Sequence, residues 1–311
     1  MKQTDSDTSV RLPAPLVSVI IPTYQRADRI YQTVMSALQQ TFTDVEVIVI
    51  DDASTDHTVD VIQGIDDSRL RLIVHQINRG GNAARQSGID AAKGTWVAFL
   101  DSDDLWEPDK LSKQLTRLKE AGPQYHFCYT WFDLQLDDGS VLPAQKVAIE
   151  GMGRPELLGV HLIGTFSTMM ISRETLHQAG GLDPTLPSCQ DWDLILRVSP
   201  MTGICVVPEV LTHYWHGDGE RISTRSSSVV EGHYRIYQKL RRHYPELPAA
   251  HVESSQRYIM GVLAHHGATR QLLEIIKEIY PRLLSRGNLT FTARMVGRSI
   301  RRQISRVGTH A

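Results

Sequence analysis

Four short apolar runs recur in the first third of the chain, and segments with helical features separate them. The runs are residues 16–22, 45–50, 70–74 and 96–100. Their length and β-branched content are typical of strands buried on both faces. In the segment 27–40, Ile30, Val34 and Leu38 recur every four residues, which predicts an amphipathic helix. The β-α-β-α-β-α-β order predicts a parallel sheet with right-handed crossovers.

The pattern changes after Pro108. A helix is predicted up to residue 121, and a hairpin is predicted around Asp137-Asp138-Gly139. Further elements are predicted as an irregular glycine-bearing loop at 145–164, a strand at 168–172, helices at 173–179 and 191–198, strands at 204–207 and 211–216, and only helices from 230 onward. We therefore expect a leader at 1–15, an α/β domain at 16–228 and a C-terminal helical region at 229–311.

Polar clusters follow three of the predicted strands, at residues 22–26, 51–56 and 101–104. In open parallel sheets, ligands bind beyond the carboxyl ends of the strands. The three clusters should therefore meet at one edge of the sheet and form a binding site there.

The composition of the chain restricts its expected partners and cellular location. The 311 residues carry a net charge of −2, which indicates no polyanionic partner such as nucleic acid. The three cysteines show no C-x-x-C spacing, which favours reduced thiols and a cytoplasmic location over a zinc site or disulfides. The leader has no apolar core typical of a signal peptide. The apolar runs are shorter than the ~18 residues that a membrane span needs.

The cluster at 101–104 contains three carboxylates, Asp101, Asp103 and Asp104. Close carboxylates repel one another unless some are protonated or a cation lies between them. Mg²⁺ or Mn²⁺ suits such oxygen ligands and takes further ligands from substrate phosphates. The alternative is a solvated turn in which one aspartate caps the next helix. The position after a buried strand favours the metal.

The other two clusters suit a nucleotide. Asp52 could accept hydrogen bonds from a base or a ribose, and a helix-capping role is compatible with that. Tyr24 could lie against a nucleobase. Residues 22–26 contain no G-x-G-x-x-G, and the chain has no G-x-x-x-x-G-K, so neither a dinucleotide fingerprint nor a P-loop is present.

A fourth cluster, Gln190-Asp191-Trp192-Asp193, lies in a predicted helix. Residues two apart point to different sides of a helix, so Asp191 and Asp193 cannot share one face. One of them could face the cleft as a general base while the other caps or is solvated.

Together these segments resemble family 2 glycosyltransferases of the GT-A fold, a Rossmann-like, mostly parallel central sheet flanked by helices. The matching segments are VSVIIPTYQR, VIVIDDASTD, NRGGNAARQSGI, WVAFLDSDD followed by Pro108, GGLDP and QDWDLILRV. They occur in the family's order and spacing over about residues 16–216. The C-terminal helical extension lies outside the resemblance.

The resemblance implies roles for individual residues. The nucleotide-binding set is Pro22, Thr23, Tyr24, Arg26, Asp52, Arg79, Arg85, Asp101 and Ser102. The metal set, for Mn²⁺ or Mg²⁺, is Asp101, Asp103, Asp104 and His216, and a surface position at a strand end is the alternative for His216. Asp191 corresponds to the catalytic base, and Gln190 replaces a glutamate that members often have before it.

The implied activity is inverting transfer of a sugar from a nucleotide-diphosphate sugar, with uridine as the expected base, to the hydroxyl of a glycan or lipid-linked acceptor. Two rivals remain. A sugar-1-phosphate nucleotidylyltransferase would need a glycine-rich, basic loop where Pro22-Thr23-Tyr24 stands. A non-catalytic nucleotide-sugar-binding relative would not need Asp101, Asp103 and Asp191 intact.

The C-terminal segment carries a basic stripe. Arg294, Arg298, Arg302 and Arg306 recur every four residues, opposite an apolar stripe. A helix of this kind can lie on an anionic membrane surface, which would make the protein peripheral on the cytoplasmic face. Equally, it can pack its apolar stripe on the protein itself, and the sequence leaves both readings open.

Overall fold

The computed structural model describes residues 15–143, 146–153, 163–217, 226–242 and 247–284. The strands are β1 (Val17–Thr23), β2 (Val45–Asp51), β3 (Leu70–Val74), β4 (Trp96–Phe99), β5 (Leu105–Trp106), β6 (Tyr125–Gln135), β7 (Val141–Pro143), β8 (Met169–Ser172) and β9 (Gly203–Trp215). The α-helices are α1 (Ile30–Leu38), α2 (Thr58–Gln63), α3 (Gly81–Ala91), α4 (Lys110–Ala121), α5 (Arg173–Gln178), α6 (Gln190–Val198), α7 (Ser226–Leu240), α8 (Ala249–His265) and α9 (Thr269–Leu284).

One mixed sheet contains all the strands of the described residues, in the order β3-β2-β1-β4-β8-β6-β9-β5, with β7 paired to β6. The first four strands are parallel, as their short β-α-β spacing predicts. Strand β8 pairs antiparallel with both β4 and β6, whereas β6 and β9 are parallel to each other. The predicted α/β fold with a mostly parallel central sheet is confirmed.

The core fills both faces of the sheet because alternate strand residues point to opposite sides. On one face, Ile20 packs with α3 and α6, where Gly88 allows close approach: a Cβ there would lie 2.5 Å from Ile20. On the other face, Val19 and Ile21 pack with apolar residues of α1 and α4. This two-sided burial fixes the carboxyl ends of β1, β2 and β4 along one edge.

The three C-terminal helices pack around Trp192 of α6 and share a core with it. Lys239 of α7 adds polar contacts, with its Nζ 2.7 Å from Asp183 and 2.6 Å from Asp193. As predicted, the described residues from 230 onward form helices and the short turns between them, and the first of these helices begins at Ser226. The boundary at 228 stays a prediction, and both the leader and the basic segment 294–306 lie outside the described residues. Within the described part, no helix is long and apolar enough to span a membrane.

The sheet differs from the sequence prediction at two places. The predicted strands 204–207 and 211–216 form the single strand β9, which runs through Pro208 and Glu209 with register shifts against β6. Strand β5 was not predicted, because its two residues owe their extended form to pairing with Thr212 and His213. Long-range pairing therefore overrode the local pattern in both cases.

His213 on β9 bridges two carboxylates. Its Nδ1 lies 2.7 Å from Asp133 and its Nε2 lies 2.8 Å from Glu107. Burial alone would lower the pKa of His213, but the hydrogen bonds and charges of the two carboxylates outweigh it and raise the pKa above its usual value. A raised folded-state pKa stabilises the fold below the unfolded-state pKa of ~6.5, and this contribution is lost as pH rises through the folded-state value.

We therefore predict that His213→Gln lowers the melting temperature at pH 6 and that this deficit shrinks as pH rises to 9. The uncharged amide cannot replace the ion pairs that stabilise the fold at the lower pH. Thermal unfolding of both proteins across this range measures the effect, with His177→Gln, at an exposed position of α5, as the control. A deficit that is constant with pH would contradict the prediction.

Candidate functional site

A cavity of about 1020 Å³ opens where β1, β2 and β4 end. It is lined by most of the residues predicted to bind a nucleotide or a metal or to act as the catalytic base: Pro22, Thr23, Tyr24, Arg26, Asp52, Arg85, Asp101, Ser102, Asp103, Asp191 and His216. Arg79 and Asp104 do not line it. The sheet edge thus brings together residues up to 194 positions apart in sequence, from Pro22 to His216.

The loops after β1 and β2 are held to each other by Gln25. Its backbone is left-handed, with φ 53°, and its side-chain Oε1 accepts the backbone N–H groups of Thr55 and Asp56 at 3.2 and 3.0 Å. Next to it, Tyr24 is 44% exposed toward the cavity. The buried Thr23 hydroxyl has no hydrogen-bond partner among the described residues, so a ligand could satisfy it. This wall suits a polar ring system.

Asp52 is buried behind the same wall. Its carboxylate accepts the backbone N–H of Arg79 at 3.0 Å and that of Gly80 at 2.6 Å, and His75 Nδ1 lies 2.7 Å away. The loop before α3 therefore folds around this carboxylate. The Arg79 side chain is exposed, so its contribution here is the backbone N–H.

The acidic loop after β4 presents two carboxylates to the cavity. Arg85 Nη2 donates to Asp101 at 2.5 Å, and Arg26 Nη2 lies 3.4 Å from Asp103. Burial raises the pKa of Asp103, the neighbouring Asp101 carboxylate raises it further, and Arg26 opposes both. Asp103 therefore carries a negative charge that the protein compensates only weakly, and a cation in the cavity would relieve it.

Asp104 has a different environment from its neighbours. It is fully buried, accepts the Ser167 hydroxyl at 2.5 Å and accepts the backbone N–H of Trp215 at 3.0 Å. Burial, together with the charges of Asp103 and Asp101, raises its pKa well above the usual range. The structure does not bring Asp104 to the predicted metal position. Instead, this side chain joins the acidic loop to β9.

The two aspartates of α6 lie on different sides of the helix, as their spacing predicts. Asp191 lines the cavity. Asp193 is 1% exposed and is held by Arg197 at 2.8 Å and Lys239 at 2.6 Å. Of the two carboxylates, only that of Asp191 is placed to meet a ligand.

Arg85 connects the acidic loop to α6. Besides Asp101, it donates through Nη1 to Gln190 Oε1 at 3.1 Å, and its guanidinium lies 4.3 Å from the centre of the Phe166 ring. Gln190 in turn donates to the Leu186 carbonyl at 3.0 Å. This bridge fixes Asp191, the next residue, relative to the acidic loop.

Sequence reasoning missed several residues of the cavity wall. The C-terminal helices contribute Val229 and His233 from α7 and Tyr258 from α8. No local motif marks them, and they lie 38 or more positions after Asp191, so only the packing of α7 and α8 on Trp192 reveals them. Gln25 was noted only as part of its loop, and nothing in the sequence shows that its side chain holds two loops together.

A divalent ion would have to share its ligands with a substrate. In the described part of the chain, no three His, Cys, Asp or Glu side chains are grouped so as to hold a metal. Two cavity-facing carboxylates, Asp101 and Asp103, fit an ion that takes its remaining ligands from phosphates and water. The donor set therefore suits a metal that binds together with a nucleotide.

The chain belongs to the glycosyl transferase family 2, whose family model matches residues 18–177, just over half of the chain. It is 40% identical over 166 residues to TuaG of Bacillus subtilis, named for teichuronic acid biosynthesis, covering 53% of this chain and 65% of TuaG. It is 48% identical over 100 residues to the Escherichia coli UDP-Glc:alpha-D-GlcNAc-diphosphoundecaprenol beta-1,3-glucosyltransferase WfaP, covering 32% of this chain and 40% of WfaP. The matches thus span about half the length of these relatives.

The fold is that of a solved GT-A glycosyltransferase. Residues 1–349 of TarS from S. aureus, in complex with UDP-GlcNAc, superpose with a TM-score of 0.59 at 16% identity, covering 86% of this chain and 91% of that one. The central sheet flanked by helices is common to both. The class is therefore a family 2 glycosyltransferase with a GT-A fold.

We predict that Asp52→Asn loosens the loop before α3. The substitution replaces one accepting oxygen with an amide donor that faces the N–H groups of Arg79 and Gly80. Each buried donor that loses its acceptor costs ~1–3 kcal/mol, so the loop before α3 should open more often. Hydrogen–deuterium exchange of peptides covering residues 76–81 should be faster than in wild type.

Asp60→Asn, at an exposed position of α2, is the matched control and should leave that exchange unchanged. Exchange at wild-type rates in Asp52→Asn would show that the carboxylate is not what holds the loop.

Proposed function

We propose that this protein is an inverting glycosyltransferase that moves a sugar from a UDP-sugar to a hydroxyl of a glycan acceptor. The proposal rests on one observation: aspartates from two separate segments, the acidic loop after β4 and helix α6, line the same cavity. Asp101 and Asp103 follow β4 at the sheet edge, and Asp191, the second residue of α6, lines the same cavity. Asp101 and Asp103 suit a metal ion that binds a diphosphate, and Asp191 suits proton transfer from an acceptor hydroxyl.

Asp103, with Asp101 beside it, would hold Mn²⁺ or Mg²⁺ together with the diphosphate of the donor. The bound ion neutralises charge that develops on the leaving diphosphate. Arg26, 3.4 Å from Asp103, would meet the same phosphates. His216 lines the cavity and is a further candidate for this role. Arg85 is already engaged by Asp101 and Gln190, and its proposed task is to position the acidic loop.

Asp191 would act as the general base. It accepts the proton of the acceptor hydroxyl as that oxygen attacks the anomeric carbon from the side opposite the diphosphate. Attack from that side inverts the anomeric configuration. The nucleotide wall of Thr23, Tyr24 and the Asp52 loop would hold the donor still, so that positioning supplies much of the rate.

The relatives support the choice of substrates. TarS was solved with UDP-GlcNAc, and the name of WfaP specifies a UDP-glucose donor and a diphospholipid-linked sugar acceptor. A uridine nucleotide and a lipid-linked or polymeric glycan are therefore the substrates proposed here, with a role in cell-surface polysaccharide assembly. A membrane-facing role for the basic segment 294–306 stays a prediction.

Asp103→Ala should abolish Mn²⁺-dependent binding of UDP while the protein stays folded, because the residue lies in a strand-end loop. Calorimetry with UDP, GDP and dTDP measures the effect. The wild-type protein is expected to bind UDP more tightly than GDP or dTDP, and to bind UDP more weakly when EDTA removes the metal ion.

Asp138→Ala, at an exposed position between β6 and β7, is the matched control and should bind like the wild type. Mn²⁺-dependent affinity that survives in Asp103→Ala would place the metal elsewhere. Equal affinities for the three nucleotides would rule out the uridine preference.

Asp191→Asn should bind donor and metal normally but transfer sugar ~10²–10⁴-fold more slowly, since that is the typical cost of losing a general base. Release of UDP in the presence of an acceptor measures the rate, and calorimetry measures donor binding. This prediction separates an enzyme from a protein that only binds nucleotide sugars.

Asp193→Asn is the matched control on the same helix. It breaks contacts with Arg197 and Lys239, so its effect should fall on thermal stability, with little change in transfer by the folded protein. If Asp193→Asn slows transfer and Asp191→Asn does not, the catalytic carboxylate is misassigned.

A further inference from the structure

Three aromatic rings from the C-terminal half of the chain line the cavity. Trp192 of α6, His233 of α7 and Tyr258 of α8 have ring centres 5.8 to 6.3 Å apart. We call these three residues the aromatic shelf. Trp192 is buried at its base, whereas Tyr258 is 40% exposed and lines the cavity.

The shelf adjoins the proposed base. Trp192 follows Asp191 in the helix, and its backbone N–H donates to the Asp191 carboxylate at 2.8 Å. Burial raises the pKa of the Tyr258 phenol, and Cys189 and the charge of Asp191 raise it further. Tyr258 is in ring contact with Trp192, the residue after Asp191, so a group that rests on Tyr258 would lie near the proposed base.

We propose that the aromatic shelf is the acceptor subsite and that Tyr258 binds the ring of an acceptor sugar. This inference rests on the proposed transferase function and extends it to helices that lie outside the segment matched by the family model. Tyr258 is the specificity-determining residue of this subsite, and Trp192 and His233 fix its orientation.

The chemistry of the surroundings favours a sugar over a lipid chain. A pyranose presents C–H groups on its faces and hydroxyls at its edge, which suits an aromatic face beside polar groups. The polar residues that line the same cavity include Ser188, Gln190, Asp191 and His216, and α7 contributes the aliphatic residue Val229. A lipid chain would leave these polar groups against hydrocarbon.

The shelf is also firmly built. His233 Nδ1 lies 2.8 Å from the Val229 carbonyl and 3.3 Å from Cys189 Sγ, and burial raises the pKa of that thiol to about 12. Lys239 ties α7 to Asp183 and Asp193 on the catalytic domain. The C-terminal helices therefore hold Tyr258 at a fixed position relative to Asp191.

The test uses the full chain with UDP-glucose, Mn²⁺ and a panel of 4-nitrophenyl glycosides of glucose, galactose and N-acetylglucosamine. Tyr258→Ala should raise the acceptor KM about tenfold, a loss consistent with one aromatic contact, while the KM for UDP-glucose stays as in wild type. Tyr258→Phe keeps the ring and should restore most of the acceptor affinity. Tyr31→Ala removes a similarly exposed tyrosine from α1 and should behave as wild type.

Several outcomes would overturn the subsite assignment while leaving the proposed function in place. One is an unchanged acceptor KM in Tyr258→Ala. Another is hydrolysis of UDP-glucose by the wild type without transfer to any glycoside of the panel. A third is competition by farnesyl phosphate that is lost in Tyr258→Ala, which would make the shelf a lipid site. If the wild type neither binds UDP-glucose nor releases UDP, the proposed function itself has failed.

Discussion

The geometry of the candidate site depends on the hydrogen bonds of the buried Arg85 guanidinium. Arg85 belongs to α3, yet it donates to Asp101 at the end of β4 and to Gln190 at the start of α6. Three segments that are distant in sequence are thereby held in one geometry. The side chain is 9% exposed, so its hydrogen bonds meet little competition from water. The distance between the acidic loop and Asp191 follows from this bridge.

Around that bridge, the three neighbouring carboxyl groups of the acidic loop have three different environments. Asp101 is paired with Arg85, and Asp104 is buried against Ser167 and the backbone of β9. Asp103 has a long contact of 3.4 Å with Arg26, and burial and Asp101 raise its pKa. Of the two carboxylates of this loop that line the cavity, Asp103 is therefore the less compensated, and a cation and a diphosphate there would complete the balance.

The sequence predicted most of the catalytic domain because its signals are local. Apolar runs such as 45–50 form buried strands, and the polar residues after them meet at one edge, as parallel connectivity requires. It could not predict that Asp104 turns inward, because that depends on Ser167, 63 residues away. Similarly, Tyr258 enters the cavity only through the packing of α7 and α8 on Trp192. Such contacts are set by tertiary packing and leave no periodic pattern.

The replacement of a family glutamate by Gln190 fits the same charge balance. A glutamate there would compete with Asp101 for the single positive charge of Arg85, because both would lie within hydrogen-bond reach of one guanidinium. The amide of Gln190 accepts from Arg85 without adding a negative charge, and its nitrogen donates to the Leu186 carbonyl. Arg85 therefore pairs with Asp101 and with no second carboxylate from this helix, and the residue before Asp191 is uncharged. With this neutral link, residue 190 adds no negative charge to the cavity wall between Asp103 and Asp191, the two positions to which the proposed chemistry assigns the cation and the proton transfer.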